Sequence, residues 1–132
     1  MDRVSPEGCR IGIAIVEDER ALVDVYKRMF ARHKIFIGFM AFDGYEALRK
    51  FIECTPRPQV ILMDHRLPGM SGIEVTKEIL KLDPEAKIVF LSADADVKSE
   101  ALKAGATAFL KKPASISEIL QAVNNAIASS QK

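Results

Sequence analysis

The chain is 132 residues long, which fits one domain and leaves no room for a second core of ordinary size. It is 48% hydrophobic and 28% charged, as soluble globular proteins are, and no apolar stretch nears the ~20 residues that a membrane span requires. Net charge is +1 and the nineteen basic residues are spread along the chain, so nucleic acid is not expected as a direct partner: phosphate binding rests on concentrated positive charge.

Cys9 and Cys54 are too few and too scattered for a disulfide framework or a metal knuckle, and read as free thiols in a reducing compartment. Residues 1–10 carry Pro6, Gly8 and several polar groups, and read as an irregular lead-in to one domain over residues 11–129. The run Ile11 to Val16 is a buried-strand pattern. It is too short, and too soon followed by Glu17, Asp18 and Glu19, to be a secretory signal. A cytoplasmic protein is expected.

Next come Leu22, Val25, Tyr26, Met29 and Phe30 at helical spacing, then a strand from Ile35 to Ala41. Ala47, Leu48, Phe51 and Ile52 mark one face of a second helix. Val60 to Met63 is a third strand, bounded by Pro58 and by Pro68-Gly69. Ser71 and Glu74 have capping-box spacing and open a helix with Ile73, Thr76, Ile79 and Leu80 on its apolar face. Lys87 to Leu91 is a strand, Asp96 to Ala104 a short helix stopped by Gly105, and Ala108 to Leu110 a short strand. Ser115 and Glu118 form a second capping box before Ile119, Leu120, Val123 and Ile127. Five strand-helix units in a row, with strands apolar throughout, imply a parallel sheet covered on both faces. Right-handed crossovers then give a doubly wound α/β sandwich.

Open parallel sheets bind ligands beyond the carboxyl ends of their strands. Those ends carry Glu17 and Asp18, Asp64, Ser92 and Lys112, so three acids, a hydroxyl and an ammonium converge on one edge. Crowded carboxylates need compensating charge, and Mg²⁺ characteristically takes one or two of them together with waters and a phosphate. With the cation bound, Asp64 stays ionised and nucleophilic. Lys112 can pair with one phosphoryl oxygen and the Ser92 hydroxyl can bond another, which is phosphoryl transfer to a carboxylate by positioning and electrostatics.

Four segments in order carry a family resemblance over about Ile11 to Ile127. Ile15-Val16-Glu17-Asp18-Glu19 resembles the acidic pair of response-regulator receiver domains, and Met63-Asp64-His65-Arg66-Leu67-Pro68-Gly69-Met70-Ser71-Gly72 their phosphoacceptor motif and loop. Leu91-Ser92-Ala93 resembles the hydroxyl switch segment, and Gly105 to Pro113 the aromatic, lysine and proline segment. The resemblance implies a flavodoxin-like fold with sheet order 2-1-3-4-5, in a two-component phosphorelay that uses Mg²⁺ or Mn²⁺. It implies that Asp64 is the phosphoacceptor, that Asp18 holds the metal directly and Glu17 through a water, and that the Arg66 backbone carbonyl adds a ligand. It further implies that Lys112 binds phosphate, Ser92 senses it, Phe109 changes rotamer, and the Lys112-Pro113 bond is cis. The donor would be a phosphohistidine on a histidine kinase or phosphotransfer domain, docking over Arg20, Ala21 and Asp24 and the loop Pro113 to Ser115. The output would pass to a downstream protein effector through the face formed by the fourth helix, fifth strand and fifth helix, which is also the expected dimer surface. Catalysis is limited to the protein's own phosphorylation and dephosphorylation.

Two features depart from the family pattern. Ser92 and Lys112 are about two positions closer than is common, which shortens the loop after Ser92 or the fourth helix. Arg66 places a long cation two positions past the acceptor, beside the phosphoryl group, where it bears on acyl-phosphate lifetime. The chain's end soon after the fifth helix, together with Met1 and the lead-in, favours a stand-alone receiver over one separated from an output domain.

Each residue alone has a plainer reading: Asp18 a helix N-cap, Asp64 a turn residue, Ser92 a strand-end hydroxyl, Phe109 core, His33 and His65 surface or packing, Lys111 and Lys112 a solvated pair. Three other functions compete. A receiver-like scaffold that binds partners without phosphorylation would lack one of the acids or the lysine. A phosphohydrolase using an aspartyl phosphate would carry an acid where Arg66 stands. A nucleic-acid clamp at Gly69-Met70-Ser71-Gly72 would have basic neighbours in the loop.

Overall fold

The computed structural model describes residues 12–130, with side chains to residue 129. The lead-in over residues 1–10, with Cys9, and the start of the first strand at Ile11 lie outside that range. Five parallel strands form one sheet in the order β2-β1-β3-β4-β5: β1 Ile13–Val16, β2 Ile37–Ala41, β3 Val60–Asp64, β4 Lys87–Ser92 and β5 Ala108–Lys111. The helices are α1 Arg20–Arg32, α2 Gly44–Glu53, α3 Gly72–Leu82, α4 Lys98–Ala104 and α5 Ile116–Ser130. Among these, none is long and apolar enough to cross a membrane.

The continuous apolar runs of β1, β3 and β4 are explained by two separate cores. Alternate strand residues point to opposite faces. Ile13, Ile15, Val60, Leu62, Val89 and Leu91 pack with Val23, Tyr26, Met29 and Phe30 of α1 and with Ile119, Val123 and Ala126 of α5. Ala14, Val16, Ile61, Met63, Ile88 and Phe90 pack with Ala47 and Phe51 of α2, Val75 and Ile79 of α3 and Ala101 of α4. A fully buried side chain of this size contributes roughly 1.5–3 kcal/mol, and every residue from Ile13 to Val16 and from Val60 to Met63 is buried. That cost of exposure on either face holds the strands in register.

Several boundaries differ from the sequence expectation. β2 begins at Ile37, not Ile35, because Lys34 takes a positive φ of 58° and the Ile35 amide still bonds back to Phe30. Val25 and Ile52, expected on buried helix faces, are exposed, and Val23 takes the core place in α1. The helix expected from Asp96 starts as a 3-10 turn, Ala95–Val97, whose cap is the Asp94 carboxylate accepting from the Asp96 amide at 2.9 Å; α4 proper is seven residues. Both capping boxes form, at Ser71 with Glu74 and at Ser115 with Glu118. Gly105 ends α4 with φ 111°, a left-handed conformation natural to glycine. Cys54 is buried, its thiol donating to the Pro56 carbonyl at 3.3 Å.

Candidate functional site

The edge where the strands end is set by the fold itself. β1 sits between β2 and β3, so the chain leaves it to opposite sides of the sheet and opens a crevice beyond its carboxyl end. Glu17 and Asp18 follow β1 directly, Asp64 and Ser92 are the last residues of β3 and β4, and Lys112 follows β5. The Lys112 amide bonds to the Ser92 carbonyl at 2.9 Å, tying its position to β4, and the Lys112–Pro113 peptide is cis. Gly72 opens α3 against the end of β3, its amide donating to the His65 carbonyl at 2.8 Å. A Cβ there would collide with the backbone carbonyl of Asp64, so only glycine lets α3 start so close to the site.

Glu17, Asp18, Asp64, Arg66, Ser92 and Lys112 line one cleft of about 520 Å³, joined by Glu19, Ala93 and Asp94. One carboxylate oxygen from each of Glu17, Asp18 and Asp64 lies within 4.8 Å of the other two. Glu17 and Asp64 are buried and Asp18 is exposed. Lys112 Nζ donates to Glu17 Oε1 at 2.7 Å and to Asp64 Oδ1 at 3.2 Å. One ammonium thus serves two buried carboxylates, with a third acid beside them, and the cluster is short of positive charge.

The electrostatics register that shortage. Burial, reinforced by the charge of Asp64, pushes Glu17 up from 4.5 to about 7 despite its bond to Lys112. Burial alone would lower Lys112, but the Glu17 bond and the charges of Asp64 and Glu17 outweigh it and hold the ammonium charged. An all-oxygen donor set with surplus negative charge and an open, solvent-facing side fits a hard divalent cation.

Phe109 stands apart from the cleft lining. It is partly buried on the α2-α3-α4 side of the sheet, stacked on Phe90 with centroids 6.1 Å apart and planes 16° from parallel. The Ser92 hydroxyl is buried and accepts from the Asp94 amide at 3.0 Å.

The residue pattern behind this geometry matches the response regulator receiver domain over residues 13–124. The chain belongs to that family. This receiver domain, part of two-component signalling, is 35% identical over 114 residues to the chemotaxis protein CheY of Thermotoga maritima, covering 85% of this chain and 93% of that one. It is 31% identical over 113 residues to the sporulation initiation phosphotransferase F of Bacillus subtilis, covering 84% and 89%. Its fold matches the CheX-CheY-BeF3-Mg²⁺ complex from Borrelia burgdorferi with a TM-score of 0.82 at 27% identity, over 90% of each chain. A receiver domain from Clostridium thermocellum gives a TM-score of 0.83 at 27% identity, covering 92% and 97%.

Some neighbours of the site in this receiver domain carried no sequence signal. Tyr26, which read only as a core position of α1, lines a groove with Lys112, and burial pushes its phenol up to about 12. His65 packs its ring 6.0 Å from Phe90 and buries Nδ1 without a hydrogen-bond partner among the described residues, forming with Phe109 a file of three rings that starts one residue from Asp64. No spacing rule links a residue after β3 to aromatics on β4 and β5, so only the folded register brings them together.

Proposed function

We propose that this receiver domain, a single unit over residues 11–129, is a phosphoacceptor switch that takes a phosphoryl group onto Asp64 from a phosphohistidine of a histidine kinase or phosphotransfer domain. The observation that carries the reading is the convergence of Glu17, Asp18 and Asp64 within 4.8 Å, with Lys112 bonded into the cluster. Glu17, Asp18, Asp64 and the Arg66 carbonyl would hold Mg²⁺ or Mn²⁺. Bound there, the ion supplies charge that offsets the carboxylates and the incoming phosphoryl oxygens.

In the transfer, an Asp64 carboxylate oxygen attacks phosphorus in line, the donor N–P bond breaks, and the imidazole leaves with the bonding pair and takes up a proton. Lys112 exchanges its bond to Asp64 for one to a phosphoryl oxygen. Ser92 turns its hydroxyl from the Asp94 amide toward another oxygen, and Phe109 enters the space released. The change then reaches the α4-β5-α5 face, where an effector or a second copy docks. This is cytoplasmic signalling chemistry, with no turnover beyond the domain's own phosphorylation and dephosphorylation and no direct contact with nucleic acid or membrane.

The test is incubation with Mg²⁺ and phosphoramidate, followed by intact mass and peptide mapping. A single phosphoryl adduct on the Asp64 peptide, lost in Asp64→Asn and on chelation, is expected. A chain that stays unmodified while still binding partners would instead be a phosphorylation-independent scaffold.

A further inference from the structure

The loop between β3 and α3 carries Arg66, whose carbonyl would be a cation ligand under the function proposed above, yet little backbone bonding holds it. Among the described residues, the stretch Arg66 to Met70 makes one backbone hydrogen bond, in which the Pro68 carbonyl accepts from the Gly44 amide at a long 3.4 Å. Mg²⁺ demands near-ideal octahedral geometry and tolerates a wandering ligand poorly. The loop must therefore be held by packing. Leu67 and Met70 pack inward against the core, while Pro68 and Gly69 are exposed.

What covers the outer side is Tyr45, the second residue of α2. Its ring lies over Gly69, where a Cβ would fall 2.6 and 2.8 Å from two ring carbons. Gly69 also turns the loop with φ 80°, so glycine answers both the conformation and the contact. The fit is reciprocal. A Cβ on Gly44 would stand 2.5 Å from both the Met70 Cβ and the Met70 carbonyl oxygen. Each element thus sets a glycine against a large residue of the other, Gly69 under Tyr45 and Gly44 against Met70. The start of α2 is a firm partner for this interlock. Asp43 caps it by accepting from the Glu46 amide at 2.7 Å, Glu46 accepts in turn from the Phe42 amide, and Lys50 donates to the Met40 carbonyl at 2.7 Å.

A single exposed apolar side chain is ordinary, and Ile52 on the same helix, 54% exposed, calls for no account. Tyr45 is 66% exposed, so core packing does not explain a large ring at that place. The surface the ring does cover is the backbone of the loop after Asp64. We propose, on the phosphoacceptor reading above, that Tyr45 is a positioning residue for phosphoryl transfer: its ring clamps the β3-α3 loop from outside and so fixes where the Arg66 backbone meets the cation cleft. The cleft lining does not include Tyr45, so the ring acts through the loop.

The experiment compares Tyr45→Ala, Tyr45→Phe and Ile52→Ala with the parent in the ¹⁵N-labelled full chain. Amide hydrogen exchange is followed without metal, Mg²⁺ affinity by chemical-shift titration, and global stability by urea midpoint. In Tyr45→Ala, exchange at Leu67, Gly69 and Met70 should quicken at least about tenfold while the amides of β3 hold, because the opening is local. Mg²⁺ affinity should fall about tenfold, as when a group that orients a metal ligand is lost. Phosphorylation by phosphoramidate should slow at low Mg²⁺ and recover at saturation. Tyr45→Phe should restore all three readouts, and Ile52→Ala should leave them as in the parent. Unchanged loop exchange in Tyr45→Ala would overturn the proposal. So would an equal effect of Ile52→Ala, failure of Tyr45→Phe to restore the parent values, or faster exchange spread evenly over the strands with a lower urea midpoint, which marks lost stability alone. If the parent binds Mg²⁺ and Tyr45→Ala binds it equally well, only the positioning role fails. A parent chain that takes up no Mg²⁺ would overturn the cation reading itself, and the positioning role with it.

Discussion

Glu17 is the residue at which burial, charge and metal binding meet. It is 3% exposed, and its carboxyl is pushed from 4.5 up to about 7 by burial and then by Asp64, against the opposing effects of Lys112 and the Glu19 amide. A carboxyl raised in the folded state contributes stability that is complete below its unfolded pKa and is lost as pH rises through the folded value. Metal-free protein should therefore lose stability between pH 4.5 and about 7 and beyond, by an amount on the order of 3 kcal/mol for this group. Urea midpoints across that window measure it, and Glu17→Gln should flatten the slope. Lys112→Met should steepen it, because Glu17 then loses its one cation, at a cost of about 1–3 kcal/mol at neutral pH. A midpoint in Lys112→Met equal to that of the parent chain would show that the 2.7 Å pair does nothing for the fold. Asp64 and Lys112 were legible in the sequence only as members of a set, because each ends an apolar run in a chain of strand-helix units. The Lys112–Glu17 bond was not, since nothing in either segment shows which acid the ammonium prefers.

At the scale of elements, the starts of α3 and α5 fix how loops meet the sheet. Ser71 and Ser115 each accept from an amide three residues on, while Glu74 and Glu118 reach back to the serine amides. Ser71→Ala should cost about 1 kcal/mol and leave the carboxylate cluster in place. Gly72→Ala should cost about 2 kcal/mol or more, since a Cβ would overlap the Asp64 carbonyl and one of the two must move. It should also slow phosphorylation, whereas Ser71→Ala should not; chemical denaturation paired with the phosphoramidate assay separates the two effects. The capping boxes were readable because their residues lie three apart. The β2 start and the 3-10 turn before α4 were not, because a positive φ at Lys34 and an Asp94 side-chain cap are decided by local closure that hydrophobic periodicity does not encode.

Across the whole molecule, two cores on opposite faces of one sheet leave the strand ends as the place where charged side chains from β1, β3, β4 and β5 can meet. Apolar strand runs made a covered parallel sheet readable, while the order 2-1-3-4-5 came from family resemblance, since periodicity carries no information on which strands are neighbours. That order puts β1 beside β3 and brings Glu17 and Asp18 to Asp64 across 46 or more positions of chain. An unfolded chain keeps these acids far apart and has no such cluster to offer a cation. Mg²⁺ should therefore bind the folded state alone and stabilise it as a ligand does, by roughly 2.7 kcal/mol at a hundredfold excess over its dissociation constant. Calorimetry should show a melting temperature that climbs with Mg²⁺ concentration, and the climb should vanish in Asp18→Asn/Asp64→Asn. Sodium chloride at matched ionic strength should reproduce little of it, because screening weakens repulsion among the acids without coordinating them. If monovalent salt gave the same rise, the three carboxylates would be sensing ionic strength alone, and the strand-end cleft would not be a cation site.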